Sequence, residues 1–388
     1  MNATRARTAV TGLAAAGLFA GLSLAGSELP WIALACAIVI LAIEPRWLPR
    51  LDIPAALVAI TWLLSARLSG LAGANALPTL TCVAVVCGAA RLPLTIARPL
   101  LAACLAIAVL VLALVAAYGA ATIGEPRLMT YPGLEGWGGY PEMGLLGVMA
   151  LPLAMSLAVG AGPPAARAGA AVAAAAAAAG VMLSGSRAAW AAAVLAAVLV
   201  LFSRSRLRWR SAVAITAGAA VLTTVLVVAA VRLEGVSMGI ASGSRLEAWS
   251  QATELWRERP LIGWGPATYH RAYATRHYDQ PTDAQFHAHS EYLHVAVETG
   301  VLGAASALWF ALAVIAGMRR RAAPGAAMIA AARRGLVCGL IAVAARALVD
   351  YFDPAGAAMR AVLWLSILAG LRVALDAAPD APADRASA

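Results

Sequence analysis

Long apolar runs alternate with short polar turns along almost the whole chain. The runs fall at residues 8–26, 31–43, 53–71, 77–90, 100–118, 143–159, 168–183, 188–202, 211–231, 292–318, 335–349 and 357–375. Most approach the ~20 residues that a helix needs to cross a bilayer, and none shows the apolar–polar alternation of a membrane β-strand. The pattern predicts an all-α polytopic membrane protein of about twelve transmembrane helices. Arg5 and Arg7 precede the first run, which has the outline of a signal peptide. A second run follows almost at once, so the first is read as a membrane helix. Two polar stretches are too long for turns: 119–142, rich in Gly, Pro and aromatics, and 232–291. The predicted organisation is helices 1–9 over 1–231, one large periplasmic loop over 232–291, helices 10–12 over 292–375 and a polar cytoplasmic tail over 376–388.

Composition sharpens this picture. The chain is 62% hydrophobic and only 12% charged, about half the charge of a soluble protein. Its net charge of +10 comes entirely from arginine. With the N-terminus inside, most of the 29 arginines fall in short inner loops and both long polar stretches fall outside, as the positive-inside rule requires. The basicity is therefore a topology signal, and no nucleic acid is expected as a partner. All five cysteines lie within apolar runs and read as small buried hydrophobes, with neither a disulfide framework nor metal spacing.

Candidate chemistry gathers at the outer side. All five histidines lie between His270 and His294. Ser244 and Glu247 form a capping box, and Leu246, Trp249, Thr253 and Trp256 follow at helical spacing up to Pro260. This predicts an amphipathic helix over 244–259 with an aromatic face, lying on the membrane surface. Either that face docks on the bundle or headgroups, or Arg245 points at an anionic ligand. A glycine-rich turn, Leu261 to Pro266, holds Trp264. His287 and His289, with His277 and Asp283, have loose spacing and no evident fourth ligand, so no metal is expected. His289 stands at the mouth of a helix and reads as a catalytic or ligand-orienting imidazole, or as a satisfied structural histidine. Ionisable groups at membrane depth carry a desolvation cost that implies a role or a partner. Arg187, Glu298, Arg346 and Asp350 are such groups, all towards the outer leaflet, with the last two at a spacing that lets them pair. Arginines there suit a diphosphate, which they bind in forked pairs; the competing reading is a structural ion-pair network.

At this point the residues resemble a family. His289-Ser290, nine residues, then Gly300-x-x-Gly303 is similar to the histidine–glycine signature of the O-antigen ligase and O-antigen polymerase superfamily, with Leu293 and Glu298 also in place. Ser184-Gly185-Ser186-Arg187, Ser244-Arg245 with Trp249, the turn 260–265 and Leu348 to Phe352 resemble further family patterns in the same order. Ser290 departs from the commoner asparagine. The resemblance covers residues 180–365; the first half matches only as generic membrane helices.

The resemblance implies an inverting, metal-independent glycosyltransferase of the bacterial inner membrane, with its site facing the periplasm and no cofactor. The donor would be a glycan on undecaprenyl diphosphate. The acceptor would be lipid A–core in a ligase, or another glycan in an O-antigen or exopolysaccharide polymerase. Arg187 and Arg245 would meet the diphosphate, and His289 the acceptor or the bond being broken. Arg346, Asp350, Glu298, Trp264, Gly300 and Gly303 are expected to shape the substrate site. A transporter or flippase of lipid-linked sugars is a more distant alternative. It would place charges near mid-bilayer and often shows an internal repeat, and none is visible.

Overall fold

The computed structural model describes residues 3–21, 29–71, 73–121, 140–160, 162–204, 238–275, 287–316, 327–352 and 359–376. Every regular element among them is a helix: α1 (Ala3–Gly21), α2 (Leu29–Ile43), α3 (Pro49–Leu68), α4 (Leu77–Ala89), α5 (Leu94–Ala121), α6 (Tyr140–Ala158), α7 (Pro164–Leu183), α8 (Arg187–Arg204), α9 (Met238–Glu258), α10 (Tyr269–Ala274), α11 (Glu291–Ile315), α12 (Ala327–Arg346) and α13 (Met359–Asp376). Six of these, α3, α5, α6, α7, α11 and α12, are long and apolar enough to cross a membrane; shorter apolar stretches are Ala6–Phe19 of α1, Trp31–Ile43 of α2, α4 and Arg187–Ser203 of α8. These helices fit an all-α polytopic membrane protein; the predicted count of about twelve exceeds the six that qualify among the described residues. Helix α13 has 18 residues but carries Arg360, Arg372 and Asp376. The predicted span at 211–231 lies outside the described residues.

Leu13, Ile60, Leu64, Leu110, Val172, Leu201 and Leu312 are exposed on outward faces, an apolar belt that lipid would cover. Inside, α6 is almost wholly buried from Met143 to Ala154, surrounded by α5, α7, α8 and α12. Glycines set the closest approaches. A Cβ on Gly147 would strike Val181 of α7, and one on Gly335 would meet the α6 backbone at Leu153. Small residues let membrane helices pack by direct van der Waals contact, where no water is left to drive association. The alanine-rich α7 fits the same logic, burying Ala170, Ala177 and Gly180.

The helices alternate in direction, which gives the bundle two distinct ends. At one end Arg7 pairs with Glu44, Arg91 with Asp52, and Arg333 and Arg372 both with Asp376. Gly370 of α13 packs on Val86 and Ala89 of α4, joining these groups at that end. The other end gathers the starts of α4, α6, α8 and α11 with the ends of α3 and α12: Asn75 donates its backbone N–H to Pro266, Glu291 donates to Ala347 and Asp350, and Arg346 reaches Pro141.

Two expectations are corrected here. Helix α9 starts at Met238, so Ser244 lies inside it and does not cap it; no proline interrupts 238–243, and the turn simply continues backwards. Its docking face is Ala248, Ala252 and Leu255, all buried, while Leu246 is exposed. Trp256 packs beside this face and the Trp249 indole reaches the His289 carbonyl, so the expected aromatic face docks in part, with Leu246 left outside. Helix α12 also starts earlier than the apolar run at 335, because Arg333 is held by Asp376 and does not end it.

Candidate active site

The end opposite the Arg7, Arg91, Arg333 and Arg372 ion pairs holds a cavity of about 1450 Å³. Arg187, Arg245 and His289 all line it, although they come from three elements far apart in the chain. Glu298 and Asp350 line it as well; Arg346, Trp264, Gly300 and Gly303 do not. Beyond the polar mouth the lining turns apolar, with Cys82 and Val86 of α4, Ala304 and Leu308 of α11, and Leu340 of α12.

Arg187 is set by a tight local motif. Gly185 has φ of 73°, a left-handed turn that follows α7. Ser186 then caps α8, its hydroxyl accepting the Ala189 N–H at 3.4 Å, and Arg187 is the first helical residue. Behind this turn lies Arg346, fully buried. It is paired with Asp350 at 2.6 Å, donates to the Pro141 carbonyl at 2.6 Å and reaches the Ser186 hydroxyl at 3.4 Å. One guanidinium thus ties together α12, the start of α6 and the start of α8. Arg346 is a strut behind the wall on which Arg187 stands, and Asp350 is its counter-ion.

His289 has φ of 48°. A left-handed histidine is uncommon and costs backbone energy. Ala267 (φ 59°) is the other such non-glycine among the described residues, and both line the cavity. The turn at His289 feeds directly into Ser290, whose hydroxyl caps α11 by accepting the Leu293 N–H. Serine and asparagine are equivalent N-caps, so Ser290 supplies the same cap that the commoner asparagine would. The Trp249 indole donates to the His289 carbonyl at 3.4 Å. Arg245 lies one turn before Trp249 on α9, hence on the same face.

Gly300 belongs to a different device, while a Cβ on the helical Gly303 would strike the Thr299 side chain. Helix α11 breaks at Gly300, which has φ of 64°. The broken helix is mended by the turn after α9. Trp264 and Gly265 donate their N–H groups to the carbonyls of Val297 and Glu298 at 3.0 and 2.7 Å, and Val301 donates to Pro260 at 2.8 Å. Ser65 of α3 also donates to the Glu298 carbonyl. Backbone groups freed at membrane depth must find partners in the protein, and this turn supplies them. A Cβ at Gly263 would run into the backbone at Glu298, and one at Gly300 into the backbone at Leu261. Trp264 fastens the same junction, donating to the Leu255 carbonyl at 2.8 Å under the Arg259 guanidinium.

A column of rings, missed by the sequence reading, crosses the cavity wall. Tyr269, His294, Tyr351 and His287 stack in turn at 4.6, 4.0 and 5.3 Å, and His289 meets His287 edge-on at 4.3 Å. Burial and the neighbouring His289 and His294 imidazoles push His287 down to about 4; at neutral pH it is uncharged. Glu298 accepts the Thr268 and Tyr269 backbone N–H groups at 2.9 and 3.0 Å and lies 3.3 Å from His294. The His294–Glu298 spacing of four was the signal available in the sequence. His277 and Asp283 lie outside the described residues. Among the described residues no three metal-ligating side chains converge.

Among the described residues no carboxylate pairs with Arg187 or Arg245. The described structure is thus that of a helical membrane protein with a cationic, histidine-bearing mouth above an apolar cavity. Residues 172–308, about a third of the chain, match the family model described as O-antigen ligase, which supports the O-antigen ligase superfamily and with it a ligase- or polymerase-like glycosyltransferase. No curated protein matches the chain.

Proposed function

We propose that the protein is an O-antigen ligase, transferring a glycan from undecaprenyl diphosphate to a hydroxyl of lipid A–core at the periplasmic face of the inner membrane. The observation that carries this reading is the joint exposure of Arg187, Arg245 and His289 to one cavity, the two arginines having no described carboxylate partner. Forked guanidinium donors suit the oxygens of a diphosphate. The apolar limb between α4, α11, α12 and α13 suits a polyprenyl tail, with Leu308, Leu340 and Leu365 along it. The arginine-paired end of the bundle would face the cytoplasm, in keeping with the positive-inside rule.

In this reaction the acceptor oxygen attacks the anomeric carbon from the side opposite the diphosphate, so the configuration inverts. The C–O bond to the diphosphate breaks, and its electron pair leaves on a phosphate oxygen. Arg187 and Arg245 neutralise that developing charge, the largest single contribution such a site makes. His289 orients the acceptor or meets the bond being broken. Diphosphate is already a good leaving group, so the reaction calls for no nucleotide, metal or other cofactor. Arg346 and Asp350 hold Arg187 in place, and Gly300 and Trp264 build the broken helix that carries His294.

Arg187→Ala, Arg245→Ala and His289→Ala should each abolish glycan transfer while membrane insertion is retained. Normally capped lipopolysaccharide in cells carrying His289→Ala would defeat the assignment. Gel analysis of lipopolysaccharide after gene deletion separates ligase from polymerase. Bare core with polymer left on the carrier marks a ligase; core capped by a single repeat marks a polymerase of the same superfamily.

A further inference from the structure

The reaction proposed above leaves one buried titratable group of the cavity without a task. His294 lines the cavity yet is only 4% exposed. Tyr269 covers one face of its ring and Tyr351 the other. Its Nε2 lies 3.3 Å from Glu298 Oε1, the oxygen that already accepts two backbone N–H groups. An oxygen serving two donors acts on the ring as an acceptor, so Nε2 carries the hydrogen and donates. Nδ1 then keeps its lone pair. That atom is buried and has no hydrogen-bond partner among the described residues. Buried acceptors are almost always paired, and a ligand hydroxyl is the donor this one lacks.

We propose that His294 is a second imidazole of the reaction, taking through Nδ1 the proton of the acceptor hydroxyl while Glu298 fixes its tautomer. This rests on the glycosyl-transfer reading above and divides its labour. As the hydroxyl oxygen bonds to the anomeric carbon, its proton moves to Nδ1 and the diphosphate leaves with the bonding pair. The imidazolium so formed faces the Glu298 carboxylate, as in other carboxylate-supported histidine bases, and then releases the proton to solvent at the mouth. His289 is left beside the two arginines at the bond being broken. His287, uncharged and weakly basic, serves as a ring in the column. Titratable groups that share the cavity with His294 come from four elements: Glu291 and Glu298 on its own helix, Tyr269 and His270 from α10, Asp350 and Tyr351 after α12, and His287 and His289 before α11.

The test uses the full-length protein in lipid nanodiscs, with a polyprenyl-diphosphate glycan as donor and lipid A–core as acceptor, and rates followed from about pH 5 to about pH 9. His294→Phe keeps the stacked ring but removes both nitrogens. It should lower kcat by about 100-fold or more and leave the donor KM within about twofold. Glu298→Gln keeps an acceptor oxygen for the Thr268 and Tyr269 N–H groups but removes the charge. Without that charge the imidazolium is less favoured, so the acid limb of the rate profile should move about one pH unit lower. Should His294→Phe fail to fold, the Glu298→Gln limb decides alone. A His294→Phe rate within about threefold of the parent, or an unmoved limb in Glu298→Gln, overturns the proposal. If His289→Ala is inactive while His294→Phe is active, this inference falls and glycosyl transfer stands. If the unaltered protein transfers no glycan, both fall.

Discussion

The two ends of the bundle use the same residue type for opposite purposes. At one end Arg91 spends every donor direction on the protein: Asp52 at 2.6 Å, the Cys87 carbonyl at 2.8 Å and the Arg46 carbonyl at 3.0 Å. At the other, Arg187 and Arg245 border a cavity and meet no described carboxylate. A buried cation with all its partners inside the protein is a fastener. On the function proposed above, a cation without them is held for an anion from outside. Arg346 stands at the second end but resembles the first kind, since Asp350, Pro141 and Ser186 take the donors of Nε and Nη2; its buried Nη1 alone has no hydrogen-bond partner among the described residues. Charge at membrane depth therefore marks function only after the partners are counted.

Substitutions at the two ends should separate cleanly. Arg91→Ala strips Asp52 of its buried partner and should cost about 3–5 kcal/mol of stability, read as a lowered melting temperature in detergent, while transfer per folded molecule stays unchanged. Arg187→Ala or Arg245→Ala should do the reverse: transfer falls by the equivalent of about 2.7–4 kcal/mol of transition-state stabilisation, with no loss of melting temperature. If either variant melts as early as Arg91→Ala, the distinction between the ends is wrong.

The next effect is in pH. His287 has its pKa pushed from the usual 6.5 to about 4 by burial and neighbouring imidazoles. The unfolded chain binds a proton there below about pH 6.5 and the folded chain does not, so stability is fully present above that pH and lost as pH falls towards about 4. The loss is at most about 3 kcal/mol, and His287→Gln should flatten it in melts run between those limits. The smallest effect belongs to Arg7, whose pair with Glu44 has its arginine half exposed; Arg7→Ala should change stability by less than about 1 kcal/mol.

Much of the fold could be read in one dimension because a bilayer imposes a local rule. A helix that must satisfy its own backbone in lipid shows itself as an apolar run, and α2, α4, α6 and α8 start and stop within a few residues of theirs. Arg346 and Asp350 were legible as a pair because four residues on a helix place them together. Helix α9 was misjudged at its start and at Leu246, while Trp249 and Trp256 do face the protein, because burial depends on what lies opposite. The ring column was invisible because Tyr269, His294 and Tyr351 come from three separate elements.

By itself the sequence determined the helical membrane class, the segregation of arginine between the ends, and the residue types that the chemistry needs. These depend on composition and on spacings within one turn of helix. Only the tertiary structure decided that Gly300 is a mended break and that Arg346 is a strut. It also decided that Arg187, Arg245 and His289 share one cavity. Those facts are set by packing between segments distant in the chain, where a partner's position, and no local spacing, selects the role of a side chain.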